Sequence, residues 1–115
     1  MVKLITFGQP RVGDYKYAEV HDRLVPYSFR VVHWRDMVPH VPACAYIPLL
    51  GRCSKLLYFP YHHGTEVWYP QEAMSRSGKT PFKICRSKPL NEDSSCSDSL
   101  YYLEVTDHQT YFNQP

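Results

Sequence analysis

The chain has 115 residues, enough for one modest domain, and its 43% hydrophobic content is that of a globular rather than a disordered protein. The net charge is +2, with lysines and arginines scattered along the sequence, so no basic block points to nucleic acid or to an anionic membrane surface. No apolar run approaches the ~20 residues of a transmembrane helix, and Met1 leads straight into VKLITF, without the pattern of a signal peptide.

In chain order, Val2–Phe7 reads as a short strand that stops at Gly8-Gln9-Pro10. Asp14 is placed to cap a helix. Apolar residues at Tyr17, Ala18, Leu24 and Val25 recur near helical period until Pro26 ends the pattern. Phe29–Trp34 reads as a buried strand, so the first third is a strand–helix–strand unit. Such a unit predicts a parallel pair with a crossover helix. The proline-rich stretch after Asp36 has no period and is expected to be a long surface loop. A strand is predicted over Gly64–Tyr69 and a short edge strand over Phe82–Cys85. Asn91–Ser99 reads as a polar loop, Leu100–Val105 as ambiguous between states, and His108–Phe112 as the opening of a final helix. Ten tyrosines and ten prolines predict a thin core and many loops.

The four cysteines are Cys44, Cys53, Cys85 and Cys96. Pairing of near neighbours, Cys44–Cys53 and Cys85–Cys96, closes two short loops and is the favoured arrangement. It favours an oxidising, secreted setting. Four free thiols in a cytosolic protein are the alternative. A zinc site with His33, His40, His62 or His63 fits none of the common ligand spacings.

Asp36 follows a strand, and His108 sits in a late loop 72 residues on. Taken locally, both are ordinary: Asp36 beside Arg35 reads as a turn residue, and His108 beside Asp107 as a helix start. His33 is expected to pack or to point to the opposite face from Asp36. The adjacent His62 and His63 read as loop residues that cannot chelate together, and Glu66 and Trp68 as structural partners on one strand face. Gly8 and Gly13 read as turn glycines, since no phosphate-binding glycine motif is present.

Four segments change the weight of the pair: TFGQPRVGD (Thr6–Asp14), VVHWRDMVPHVP (Val31–Pro42), YHHGTEVWYP (Tyr61–Pro70) and DHQTYF (Asp107–Phe112). In order and spacing they resemble the C-terminal half of the class 3 lipases, a fungal-lipase-like family of α/β-hydrolases, and the cysteine-bearing insertions look most like animal, nematode-type members. The resemblance implies an α/β fold, incomplete as a domain over residues 1–115, with a mostly parallel sheet. It implies a secreted carboxylic-ester hydrolase of lipid metabolism with a lipid-ester substrate and no metal or cofactor. Asp36 matches the triad acid and His108 the triad base.

In that family the chain order is serine, acid, histidine. No G-x-S-x-G occurs here, and none of the nine serines has that setting. The expectation is therefore a fragment that is inactive alone, with the serine, the oxyanion donors and a neighbouring strand outside it. The loss of that strand would leave Val2–Phe7 as an apolar edge open to self-association. The alternative is a non-catalytic, disulfide-linked secreted binding module built on the same scaffold.

Overall fold

The computed structural model describes residues 1–56, 58–88, 90–100 and 102–115. The strand–helix–strand unit is present: β1 (Lys3–Phe7), α1 (Tyr15–Leu24) and β2 (Tyr27–His33). The Asp14 carboxylate caps the helix by accepting the Tyr17 N–H at 3.0 Å. β1 and β2 pair in parallel, Lys3 opposite Tyr27 and Phe7 opposite Val31.

The loop after Asp36 is less irregular than its sequence suggests. It holds a small hairpin of β3 (Tyr46–Ile47) and β4 (Arg52–Cys53). The proline-rich composition hid it, because each strand is only two residues long. β5 (Thr65–Tyr69) joins β2 in parallel, and β6 (Lys83–Ile84) closes the far edge antiparallel. The sheet order is β1-β2-β5-β6. The predicted final helix is replaced by a 3-10 turn over Thr106–His108 and a bridge from Tyr111 to Gln114. The residues after His108 have too few apolar positions at helical spacing to bury a helix face. Of the ambiguous 100–105 stretch, Tyr101 lies outside the described residues.

Two disulfides are present, Cys44–Cys53 and Cys85–Cys96. The second lies in the apolar core with Val32 and Trp68, flanked by Trp34 and Leu100. Residues opposed in register share a sheet face, so Arg30 lies beside Glu66 and Val32 beside Trp68. The buried face of the sheet is thus half apolar and half ionic. Arg30 donates to the carbonyls of His63 and Asn91 at 2.7 and 3.0 Å. Glu66 accepts the Ser97 hydroxyl at 2.6 Å. Asp22 on α1 accepts the Gly64 N–H and the Asn91 side chain. These bonds, rather than a large apolar core, fix the long loops against the sheet.

Candidate active site

β2 delivers Asp36 through a tight reversal in which Trp34 takes a positive φ of 39°. The Asp36 N–H donates back to the His33 carbonyl at 2.9 Å, and the residue is completely buried. A buried carboxylate needs its oxygens occupied. Oδ1 accepts the Val38 N–H at 2.9 Å. Oδ2 accepts two donors, His108 Nδ1 at 2.8 Å and the Tyr111 hydroxyl at 2.6 Å.

The late segment reaches Asp36 by backbone pairing. The Glu104 N–H donates to the Arg35 carbonyl at 2.7 Å, and the Met37 N–H to the Glu104 carbonyl at 3.3 Å. The turn over Thr106–His108 then carries the imidazole onto the acid. Because the carboxylate only accepts, Nδ1 of His108 is the donor, and Nε2 is the nitrogen turned away from the acid. The ring is 38% exposed. A cleft of about 440 Å³ lies beside it, lined by Phe7, His108, Gln109, Tyr111 and Phe112.

Several residues hold this pair. Gly8 has φ +60°, and a Cβ there would stand 2.6 Å from His108 Nδ1 and 2.8 Å from Asp36 Oδ2. Its lack of a side chain is therefore a requirement of the site as well as of the turn. His33 packs, as expected. It is buried, with Nδ1 2.9 Å from the Asp107 carbonyl and Nε2 2.7 Å from the Glu72 carbonyl. It ties the end of β2 to the residue preceding His108. Burial, then the bond to Asp36, raise the Tyr111 phenol well above its ordinary pKa, so it stays a donor.

Behind the acid, Arg11 makes two bonds to Glu92, at 2.8 and 3.0 Å, and donates to the carbonyls of His40 and Pro42 at 2.6 and 3.1 Å. Burial is the largest influence and opposes ionisation of Glu92, but the Arg11 bond and the surrounding positive charges together outweigh it and hold the carboxyl down at about 2. His62 donates through Nε2 to the Pro39 carbonyl at 2.6 Å. His63 receives the Gln9 amide at 2.8 Å and stacks on His21. His40 pairs with Asp98. The two adjacent histidines thus diverge as expected, but both are buried rather than loosely solvated.

Among the described residues, two clusters bring metal-ligand types together: Glu66 with Cys85 and Cys96, and Cys53 with Glu92 and Asp98. Their cysteines are all in disulfides, which removes the thiolates that would bind a soft metal.

A family model described as "Lipase (class 3)" matches residues 1–46. The lipase ZK262.3 of Caenorhabditis elegans is 41% identical over 127 residues, a match covering 96% of this chain. This is a class 3 lipase-like chain. The lipase-like chain spans only 35% of the worm lipase's length. A Rhizopus niveus lipase is 32% identical across 97% of the chain and 24% of its own length. The worm enzyme is thus the more similar of the two. The triacylglyceride lipase structure from Rhizomucor miehei superposes with TM-score 0.70 at 32% identity, covering 96% of the chain and 35% of that structure. Lipase II of Rhizopus niveus also gives 0.70, at 29% identity. The fold is the α/β-hydrolase fold, represented here by a partial domain.

Tyr111, Gly8 and Arg11 carry weight in the lipase-like chain that their sequence context did not reveal. Tyr111 lies three residues after His108, one turn of tight helix, which is a spacing that puts both on one side. Nothing local to Arg11 signals its partner Glu92, 81 residues away.

Proposed function

We propose that Asp36 and His108 are the acid and base of a serine carboxylic-ester hydrolase acting on triacylglycerol-like lipid esters. The observation that carries this is the 2.8 Å bond from His108 Nδ1 to a carboxylate that is fully buried and fully bonded. Asp36 fixes the tautomer and stabilises the imidazolium. Nε2 is then the atom that takes a proton from a serine hydroxyl and returns it to the leaving alcohol. The neighbouring cleft lined by Phe7, Tyr111 and Phe112 suits an acyl or alkyl chain.

The nucleophile and oxyanion donors come, in this reading, from polypeptide outside these 115 residues, which form the C-terminal half of the hydrolase domain. Residues 1–115 are inactive alone. Two disulfides support a secreted setting.

The test is hydrolysis of p-nitrophenyl butyrate. Residues 1–115 should give no turnover above buffer. A longer natural polypeptide that includes a G-x-S-x-G should turn over, and His108→Ala should reduce its kcat by about 10³–10⁶. Turnover by the 115 residues alone, or a longer form indifferent to His108→Ala, would refute the assignment. A natural product lacking any G-x-S-x-G would instead favour the binding module.

A further inference from the structure

We propose that the disulfide-closed hairpin between Cys44 and Cys53, with the exposed Leu56, Tyr58 and Phe59 after it, is an anchor for an anionic lipid surface. The net charge of +2 gives no sign of this, because the relevant feature is local.

The hairpin is small and held at its base. Tyr46 pairs with Cys53 and Ile47 with Arg52. The turn is closed by the N–H groups of Leu50 and Gly51, both donating to the Ile47 carbonyl at 3.0 and 2.9 Å. The base is fixed by the disulfide and by Cys53, which is buried beside Arg11. What this frame presents is apolar. Leu49 at the tip is 98% exposed, and Leu50 beside it is more than half exposed. Tyr46, Leu56, Tyr58 and Phe59 are also exposed, Tyr58 by 87%.

Single exposed apolar residues are ordinary. Three large ones on a cross-linked support, Tyr46, Leu49 and Leu50, followed within six residues of Cys53 by exposed Leu56, Tyr58 and Phe59, are not. A flexible loop would be free to fold Leu49 inward; a hairpin of two short paired strands pinned at its base is not.

Charge identifies the partner. Between Asp36 and Glu66 there is no acidic residue, whereas Arg52 and Lys55 flank the tip. The carboxylates that reach this region are each bonded, and only Asp14 touches the surface itself, through the Tyr58 backbone. Asp14 accepts the Tyr17 and Tyr58 N–H groups, Glu92 pairs with Arg11, and Asp98 with His40. An exposed Leu-Leu tip with Tyr46 and Arg52 on the paired strands behind it, and Lys55 and Tyr58 following in sequence, has the composition of a lipid-interface anchor. Leucines enter the acyl region, tyrosines sit at headgroup level and the cations meet phosphate. An exposed tip also suits a deformable surface better than a preformed protein pocket.

The experiment is co-sedimentation of the disulfide-intact protein with phosphatidylcholine vesicles, with and without phosphatidylglycerol. Binding is read without turnover, so the result is independent of the hydrolysis reading. The protein should partition onto the anionic vesicles. Leu49→Asp/Leu50→Asp should weaken this at least about tenfold while leaving circular dichroism and the thermal midpoint unchanged, because both side chains face solvent. Arg52→Glu/Lys55→Glu should weaken binding to anionic vesicles about tenfold, with little effect on the neutral ones. No partition by the unaltered protein would overturn the proposal. So would wild-type partition by the leucine double variant, including the case in which that variant loses only self-association by light scattering.

Discussion

At the scale of single residues, the most exposed dependence of the site is on Gly8. Its positive φ already disfavours any side chain by roughly 1–2 kcal/mol, and the missing Cβ is where His108 and Asp36 meet. Gly8→Ala must therefore push the imidazole or the carboxylate out of line. A displacement of about 1 Å costs on the order of 10² in rate. In an active, longer form we expect kcat to fall by that factor with KM little changed, measured on a soluble ester. The buried histidines set the pH behaviour. Burial, then the neighbouring His21 and Arg30, hold His63 down at about 4, and burial holds His62 well below its ordinary value. The folded state keeps both neutral where the unfolded chain, titrating near 6.5, takes up protons. Stability is therefore full above pH 6.5 and is lost as pH falls from 6.5 towards 4. Glu92, held at about 2, loses its contribution only between 4.5 and 2. Thermal melts should thus fall well before the carboxylates titrate. His63→Gln, which can still bond Gln9, should flatten that first limb; an unchanged profile would place the limb elsewhere.

At the scale of elements, the ionic half of the core decides how the acid loop is held. Arg11 joins the end of the first β–α connection to the turn after Asp36 and to the loop carrying Glu92. Its removal leaves a buried carboxylate without its cation, which costs about 3–5 kcal/mol. Replacement of both partners by apolar residues should cost less. Urea unfolding should accordingly rank Arg11→Ala as more destabilising than Arg11→Met combined with Glu92→Leu, and the reverse order would mean that the pair is not the main tie. Legibility followed the same division. β1, α1, β2 and β5 were readable because period and punctuation are local properties of Lys3–Tyr69. The Asp36–His108 pair was readable only through its resemblance to a family, since each residue is ordinary in its own surroundings. The β3–β4 hairpin was not readable, because two-residue strands leave no alternation to detect. Nor were the Arg11–Glu92 and Tyr111–Asp36 bonds, whose partners are 81 and 75 residues apart. The final helix expected over His108–Phe112 does not form, because those residues have too few apolar positions to bury a helix face.

At the scale of the whole molecule, the sheet is covered unevenly. On the side of Arg30, Val32, Glu66 and Trp68, α1 and the disulfide loops bury most of the strands. On the opposite side, register places Ile5 and Phe7 beside Phe29 and Val31, and Val67 beside Ile84. Ile5, Phe7 and Ile84 are each more than half exposed. β1 is also an edge strand among the described residues, with hydrogen-bonding groups on one side unpaired by the sheet. An apolar edge next to an apolar face is the combination that recruits another strand. For residues 1–115 in isolation we therefore expect concentration-dependent association, seen as an early-eluting, broad peak by size exclusion with light scattering. Charge on this edge opposes strand addition, so Ile5→Lys should shift the material towards monomer without lowering its helical signal. Hydrogen exchange separates this from mere stickiness: association through β1 slows the amides of residues 3–7 as concentration rises, whereas association through the Leu49 tip leaves them unchanged. A monomer at all concentrations, with β1 amides exchanging slowly, would show that the edge is already protected within the chain.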